Sequence, residues 1–142
     1  MKKRNYLIAI ITGIIVGIIT VIGQKYLSGN LNFLVNSASM WLIPTFFIPY
    51  FLKTDSKDSI IISMTILIFC VLGYYIFEAI IHSHTFEFST SVILWLLCAI
   101  AGGIVFGLGA NYSRTKNDKL KLLSMNLLPA VFLSEPLYKL IN

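Results

Sequence analysis

The sequence predicts an all-α, polytopic membrane bundle of five spans, and three observations carry the prediction. Five apolar stretches of about 18 to 22 residues can each cross ~30 Å of hydrocarbon at ~1.5 Å per residue. Of the 142 residues, 57% are hydrophobic and only 12% charged, against roughly 25% charged in soluble domains, and the mean hydropathy is +0.83. The basic residues also segregate. With the N-terminus inside and five crossings, Lys2, Lys3, Arg4, Lys53, Lys57, Arg114, Lys116, Lys119 and Lys121 fall on the cytoplasmic side, and only Lys25 and Lys139 fall outside. The reverse orientation would break the positive-inside rule. The expected topology is therefore N-terminus in and C-terminus out, with residues 1–142 forming a single integral membrane domain. The composition excludes a soluble enzyme and a disulfide-stapled secreted module. The basic excess reports topology, since no aromatic-interleaved nucleic-acid patch accompanies it.

Span one, about 6–23, is too long for a typical signal-peptide core and lacks a small-x-small cleavage site, so it is expected to remain as a helix. Its Gly13 and Gly17 lie one turn apart and permit close helix approach. Span two is expected over 31–52 with Asn30 as N-cap. Asn32, Asn36 and Ser39 share a face of it before Trp41, and Pro44 and Pro49 each remove a backbone donor. The alternative is a short re-entrant or interfacial piece followed by a stubby helix. Residues 53–58 form a tight inner loop. Span three, about 59–81, carries Tyr74, Tyr75, Glu78 and His82 in its outer third. Span four, about 91–110, contains Trp95 and the pair Gly103 and Gly107, whose spacing matches that of span one, so spans one and four are expected to be the close-packed pair. After a basic inner loop, span five, about 122–141, holds Asn126, Pro129, Glu135 and Pro136. Cys70 and Cys98 both fall in mid-span, where a thiol acts as a small hydrophobe.

Ionisable groups inside spans are the informative ones, because a charge at mid-bilayer costs about 2.5 to 3.5 kcal/mol or more. Glu78 lies about 12 Å and Glu135 about 6 Å from the centre of their spans, both towards the outside. Two carboxylates at similar depth beside Tyr74, Tyr75 and Asn36, walled by Trp41 or Trp95, suggest an outward-facing polar pocket for a small solute or cation. A structural account competes with it: Glu135 with Lys139 and Glu78 with His82 have i, i+4 spacing, and the tyrosines and tryptophans suit an interfacial belt. His82, His84 and Glu87 match no ligand box, so no metal and no cofactor is expected. Phosphate loops, nucleophile elbows and zinc-protease motifs are likewise missing from the sequence, which argues against an enzyme.

On Asn36-Ser37 with Trp41, Tyr74-Tyr75, Trp95 with Gly102-Gly103, Phe106-Gly107 and Glu135, the sequence resembles an uncharacterised family of small bacterial multi-pass membrane proteins. That resemblance implies a helical bundle in a bacterial cytoplasmic membrane and no assigned activity. More distantly, the chain is similar to the substrate-capture subunits of energy-coupling-factor transporters, which normally have six spans. The leading expectation is solute binding or transport through Glu135, Glu78, Tyr74, Tyr75, Asn36, Trp41 and Trp95. The alternative is a structural, immunity or regulatory membrane protein that recognises another copy or a partner subunit through Gly13, Gly17, Gly103 and Gly107. The lipid bilayer is a partner in either case, and nucleic acid in neither.

Overall fold

The computed structural model describes residues 3–28, Asn32, 37–83 and 85–141, apart from the side chains at 38, 135, 136 and 138–141. The helices are α1 (Lys3–Tyr26), α2 (Ala38–Leu52), α3 (Ser56–Ile81), α4 (Thr90–Tyr112), α5 (Asp118–Met125) and α6 (Leu127–Ile141). No strand occurs among the described residues. Asn126 alone separates α5 from α6, and its amide donates back to the Leu122 carbonyl at 2.8 Å. The all-α architecture is as the hydropathy pattern predicts. Helix starts follow capping chemistry: the side chains of Ser37, Asp55, Ser89 and Asn117 each accept from a backbone N–H two or three residues on.

Three helices, α1, α3 and α4, are long and apolar enough to cross a membrane. The expected second span over 31–52 is shorter: its helix begins at Ala38 behind Ser37, while Asn30 lies outside the described residues. At 15 residues, α2 reaches only ~22 Å. The physical reason lies in Ser37, whose hydroxyl caps the helix and so fixes its start. The expected fifth span is likewise divided at Asn126, leaving α6 with 15 residues.

The centre of the bundle is α3, with α1 and α4 each packed on it and barely on each other. The expected pairing of spans one and four is thus corrected. A Cβ on Gly17 would lie 2.5 Å from the Cys70 carbonyl oxygen and 2.6 Å from the Tyr74 nitrogen, and one on Gly13 would lie 2.5 Å from the Ile66 carbonyl oxygen. On α4, a Cβ at Gly103 would meet the Met64 backbone at 2.6 Å, and one at Gly107 the Ile60 Cα at 2.6 Å. Both glycine stripes match a backbone on α3, so equal spacing did not mean mutual contact.

Against α3 and α4 lies α2, whose two prolines leave carbonyls without their helical donors. Pro49 should have served the Thr45 carbonyl, and the Ser63 hydroxyl of α3 donates to it instead at 2.7 Å. Both Thr45 and Ser63 are fully buried. At one end of the bundle, the carbonyl of Thr54 accepts from the Asn111 amide at 3.0 Å and from the Arg114 guanidinium. Arg4 and Asn5 line a crevice there with Lys53, Asp55 and Asp58. Helices α1 to α4 therefore alternate up and down, and Arg4, Lys53 and Arg114 gather at one end. From that end α6 returns along α2, and Leu128 packs with Phe46, Phe106 and Ala110.

Replacing Gly17 or Gly107 by Leu should lower unfolding stability in detergent by about 3 kcal/mol or more, because backbone cannot give way. Gly102→Ala, which meets only the Leu67 Cδ1 at 3.3 Å, should cost less than about 1.5 kcal/mol. Ser63→Ala should cost about 1 to 3 kcal/mol by orphaning the buried Thr45 carbonyl. Denaturant titration of the purified variants measures all three.

Candidate functional site

At the end opposite the Thr54 clasp, α1 to α4 enclose a cavity of about 390 Å³. Helix α1 contributes Thr20 and Gln24, and Ser37, Trp41 and Leu42 come from the start of α2. Its floor and far wall are Leu67 and Val71 of α3 with Ala99, Gly102 and Phe106 of α4. Tyr74, Tyr75, Trp95 and Cys98 complete the wall.

Hydrogen bonds fix the aromatic side chains. The Trp41 Nε1–H donates to the Thr20 hydroxyl at 2.9 Å, and that hydroxyl donates to the Val16 carbonyl at 2.9 Å. The Tyr74 hydroxyl donates to the Gln24 side-chain oxygen at 2.8 Å. Trp41 leans on Tyr74 and Trp95 at centroid distances of 6.1 and 6.0 Å, with tilts of 55° and 54°. Tyr75 meets Tyr74 edge-on at 5.0 Å. Such geometries use the ring quadrupoles favourably. Trp41 thus forms a crossbar from α1 to α4, two helices that scarcely touch.

Of the residues singled out in the sequence, Trp41, Trp95, Tyr74 and Tyr75 share this cavity. Glu78 does not line it; the residue contributes to a separate crevice of about 400 Å³ with Thr85, Phe86 and Glu87, beneath the loop before α4. Tyr75 belongs to both and forms the wall between them. The reason is axial: Glu78 follows Tyr75 by three residues and Tyr74 by four, so it shares their face of α3 but lies about one turn, ~4.5 to 6 Å, further along the axis, past the cavity rim. Asn36 and the side chain of Glu135 lie outside the described residues, as does His84. Gly13, Gly17, Gly103 and Gly107 all face α3 inside the bundle. Among the described residues, no three His, Cys, Asp or Glu side chains converge as a metal site.

Thr20 and Gln24 were not singled out from the sequence, although a signal existed. Gly13, Gly17, Thr20 and Gln24 recur at spacings of four, three and four, which is one helix face. The stripe that packs on α3 therefore continues as the polar lip of the cavity. Trp95, Ala99, Gly102 and Phe106 repeat that spacing on α4.

The model of a family of unknown function, DUF6518, matches residues 2–142. The chain belongs to this family. The match runs through every helix described above, so the cavity lies wholly within the family's extent in DUF6518. No curated protein and no solved structure matches the chain.

Thr20→Val should leave the Trp41 indole without its acceptor. The expected outcome is a changed tryptophan emission maximum and a loss of stability of about 1 to 2 kcal/mol. Fluorescence and denaturant titration on the same sample read both.

Proposed function

We propose that this DUF6518 protein is an integral membrane protein of a bacterial cytoplasmic membrane that binds a small solute in the cavity among α1 to α4, without covalent chemistry. The carrying observation is the cavity itself. About 390 Å³ is within the range of small-molecule sites, which pair apolar and aromatic walls with a few placed polar groups. The polar groups here are Thr20, Gln24, Ser37, Tyr74 and Tyr75, and the rest of the wall is apolar. The orientation follows the charge: the end holding Arg4, Lys53 and Arg114 is cytoplasmic by the positive-inside rule, so the cavity faces the outer half of the membrane.

The carboxylate-centred version changes accordingly. No Asp or Glu among the described side chains lines the cavity, and an uncompensated charge in an apolar site is costly. Binding therefore rests on the aromatic wall and neutral hydrogen-bonding groups. Recognition of another chain through the four glycines loses support, because their faces are occupied by α3.

The chain has two tryptophans, and both line the cavity, so intrinsic fluorescence reports on this one place. Titrating the purified protein with a panel of amines, vitamins and lipophilic alcohols should give a saturable emission change with at least one compound. Trp41→Phe should weaken that ligand about tenfold or more, whereas Glu78→Gln should change its affinity less than about twofold. A panel without any saturable response, or a ligand lost on Glu78→Gln and retained in Trp41→Phe, would overturn the proposal.

A further inference from the structure

We infer that the cavity takes an uncharged single-chain amphiphile, of the long-chain alcohol type, that arrives through the lipid rather than from water. The inference rests on the solute-binding proposal above and adds the ligand class and its route. Three observations carry it. First, the wall is chemically graded along the bundle axis. Thr20, Gln24 and Tyr74 stand at its outer end, within the last two turns of α1 and of α3, and Leu67, Ala99 and Phe106 lie towards mid-bilayer. A molecule with one hydrogen-bonding head and an apolar tail matches that gradient in a single orientation. Second, the described wall carries only neutral polar groups. An ammonium or carboxylate head would enter without a counter-charge, at a desolvation cost that an alcohol avoids.

Third, one wall of the cavity is turned outward from the bundle. Trp95 is 47% exposed and Cys98 is exposed, and both stand in the outer half of α4, a helix long and apolar enough to lie within the hydrocarbon. What is exposed on such a helix faces lipid. Helix α6 covers the groove between α2 and α4 at its lower end, where Leu127, Leu128 and Val131 pack against Phe46 and Phe106. Phe106 is also in the cavity floor, so the cavity begins where that cover is secured. The side opening therefore meets the acyl region at the depth of Trp95 and Cys98, and the Gln24 and Tyr74 pair waits at headgroup level.

Cys98 supplies the test, because Cys70 is fully buried and Cys98 is in the cavity wall. The full chain in phosphatidylcholine nanodiscs is treated with N-ethylmaleimide or with a sulfonated, membrane-impermeant maleimide, and modification at Cys98 is followed by mass spectrometry. N-ethylmaleimide should react at least tenfold faster. 1-Dodecanol should slow that reaction at least fivefold and shift tryptophan emission saturably, while laurate and dodecyltrimethylammonium should do neither. Gln24→Ala with Tyr74→Phe should abolish protection by dodecanol and leave protection by dodecane intact, which separates loss of the head contact from misfolding. Equal rates with the two maleimides would overturn the lipid route. Equal protection by the charged amphiphiles would overturn the neutral-head assignment. Should a water-soluble compound shift the emission where dodecanol does not, this inference fails and solute binding stands. Should no compound of either kind bind, both fail.

Discussion

The close approach of two helices to the backbone of α3 governs the rest of the structure. Gly13 and Gly17 bring α1 against Ile66, Cys70 and Tyr74, and Gly103 and Gly107 bring α4 against Ile60 and Met64. In a bilayer, burial of apolar surface drives helix association little, since lipid is as apolar as leucine, so van der Waals contact at short range has to do the work. The two contacts sit at different heights on α3. Helix α4 is tight over the half of α3 nearer Thr54, and α1 is tight from the middle towards the cavity. Because α1 and α4 never seal against each other, space remains between them in the half opposite Thr54, and α2 enters that space with Trp41.

A short proline-bearing α2 is what the arrangement requires there. The helix begins at Ala38, and the Ser37 that caps it lies at the cavity lip. The cost of the prolines is offset locally: the Thr45 carbonyl that Pro49 leaves open takes the Ser63 hydroxyl. Ser39, Ser59 and Ser63 are all fully buried. Polar groups at that depth persist only when they are hydrogen-bonded. The Ser63 hydroxyl ties α2 to α3, the Ser59 hydroxyl meets that of Thr54 at 2.8 Å, and Thr54, held by Asn111 and Arg114, fixes the chain just past the end of α2 away from the cavity. The cavity is thus framed by elements secured at both ends.

The aromatic residues divide the work between structure and recognition. Trp41 is held by Thr20 and leans on both Tyr74 and Trp95, so its ring presents a fixed surface. Pre-organised walls of this kind lower the ordering cost of binding. Glu78 stands behind Tyr75 in the neighbouring crevice, which shifts the chemistry of the cavity from charge to hydrogen bonding and shape.

Much of this was legible in the residues themselves. Helicity, the apolar spans, the segregation of Lys and Arg, the small-residue faces and the gathering of Trp41, Tyr74, Tyr75 and Trp95 near one membrane face all follow from composition and helical periodicity, which are local properties of the chain. Three matters did not follow. Periodicity shows that Gly13 and Gly103 can each receive a helix, but not which one, and α3 serves both. Periodicity sets Glu78 on the same face of α3 as the tyrosines, yet about one further turn along the axis places it in another crevice. Thr20 and Gln24 read as ordinary residues near a helix end until Trp41 and Tyr74 arrive from elsewhere in the chain to bond them. The sequence by itself determined what each helix is and how deep its residues lie, because those depend on neighbours in the chain. Tertiary structure alone decided which faces meet and which residues share a cavity, because helix rotation and partner choice are settled by contacts between segments far apart in sequence.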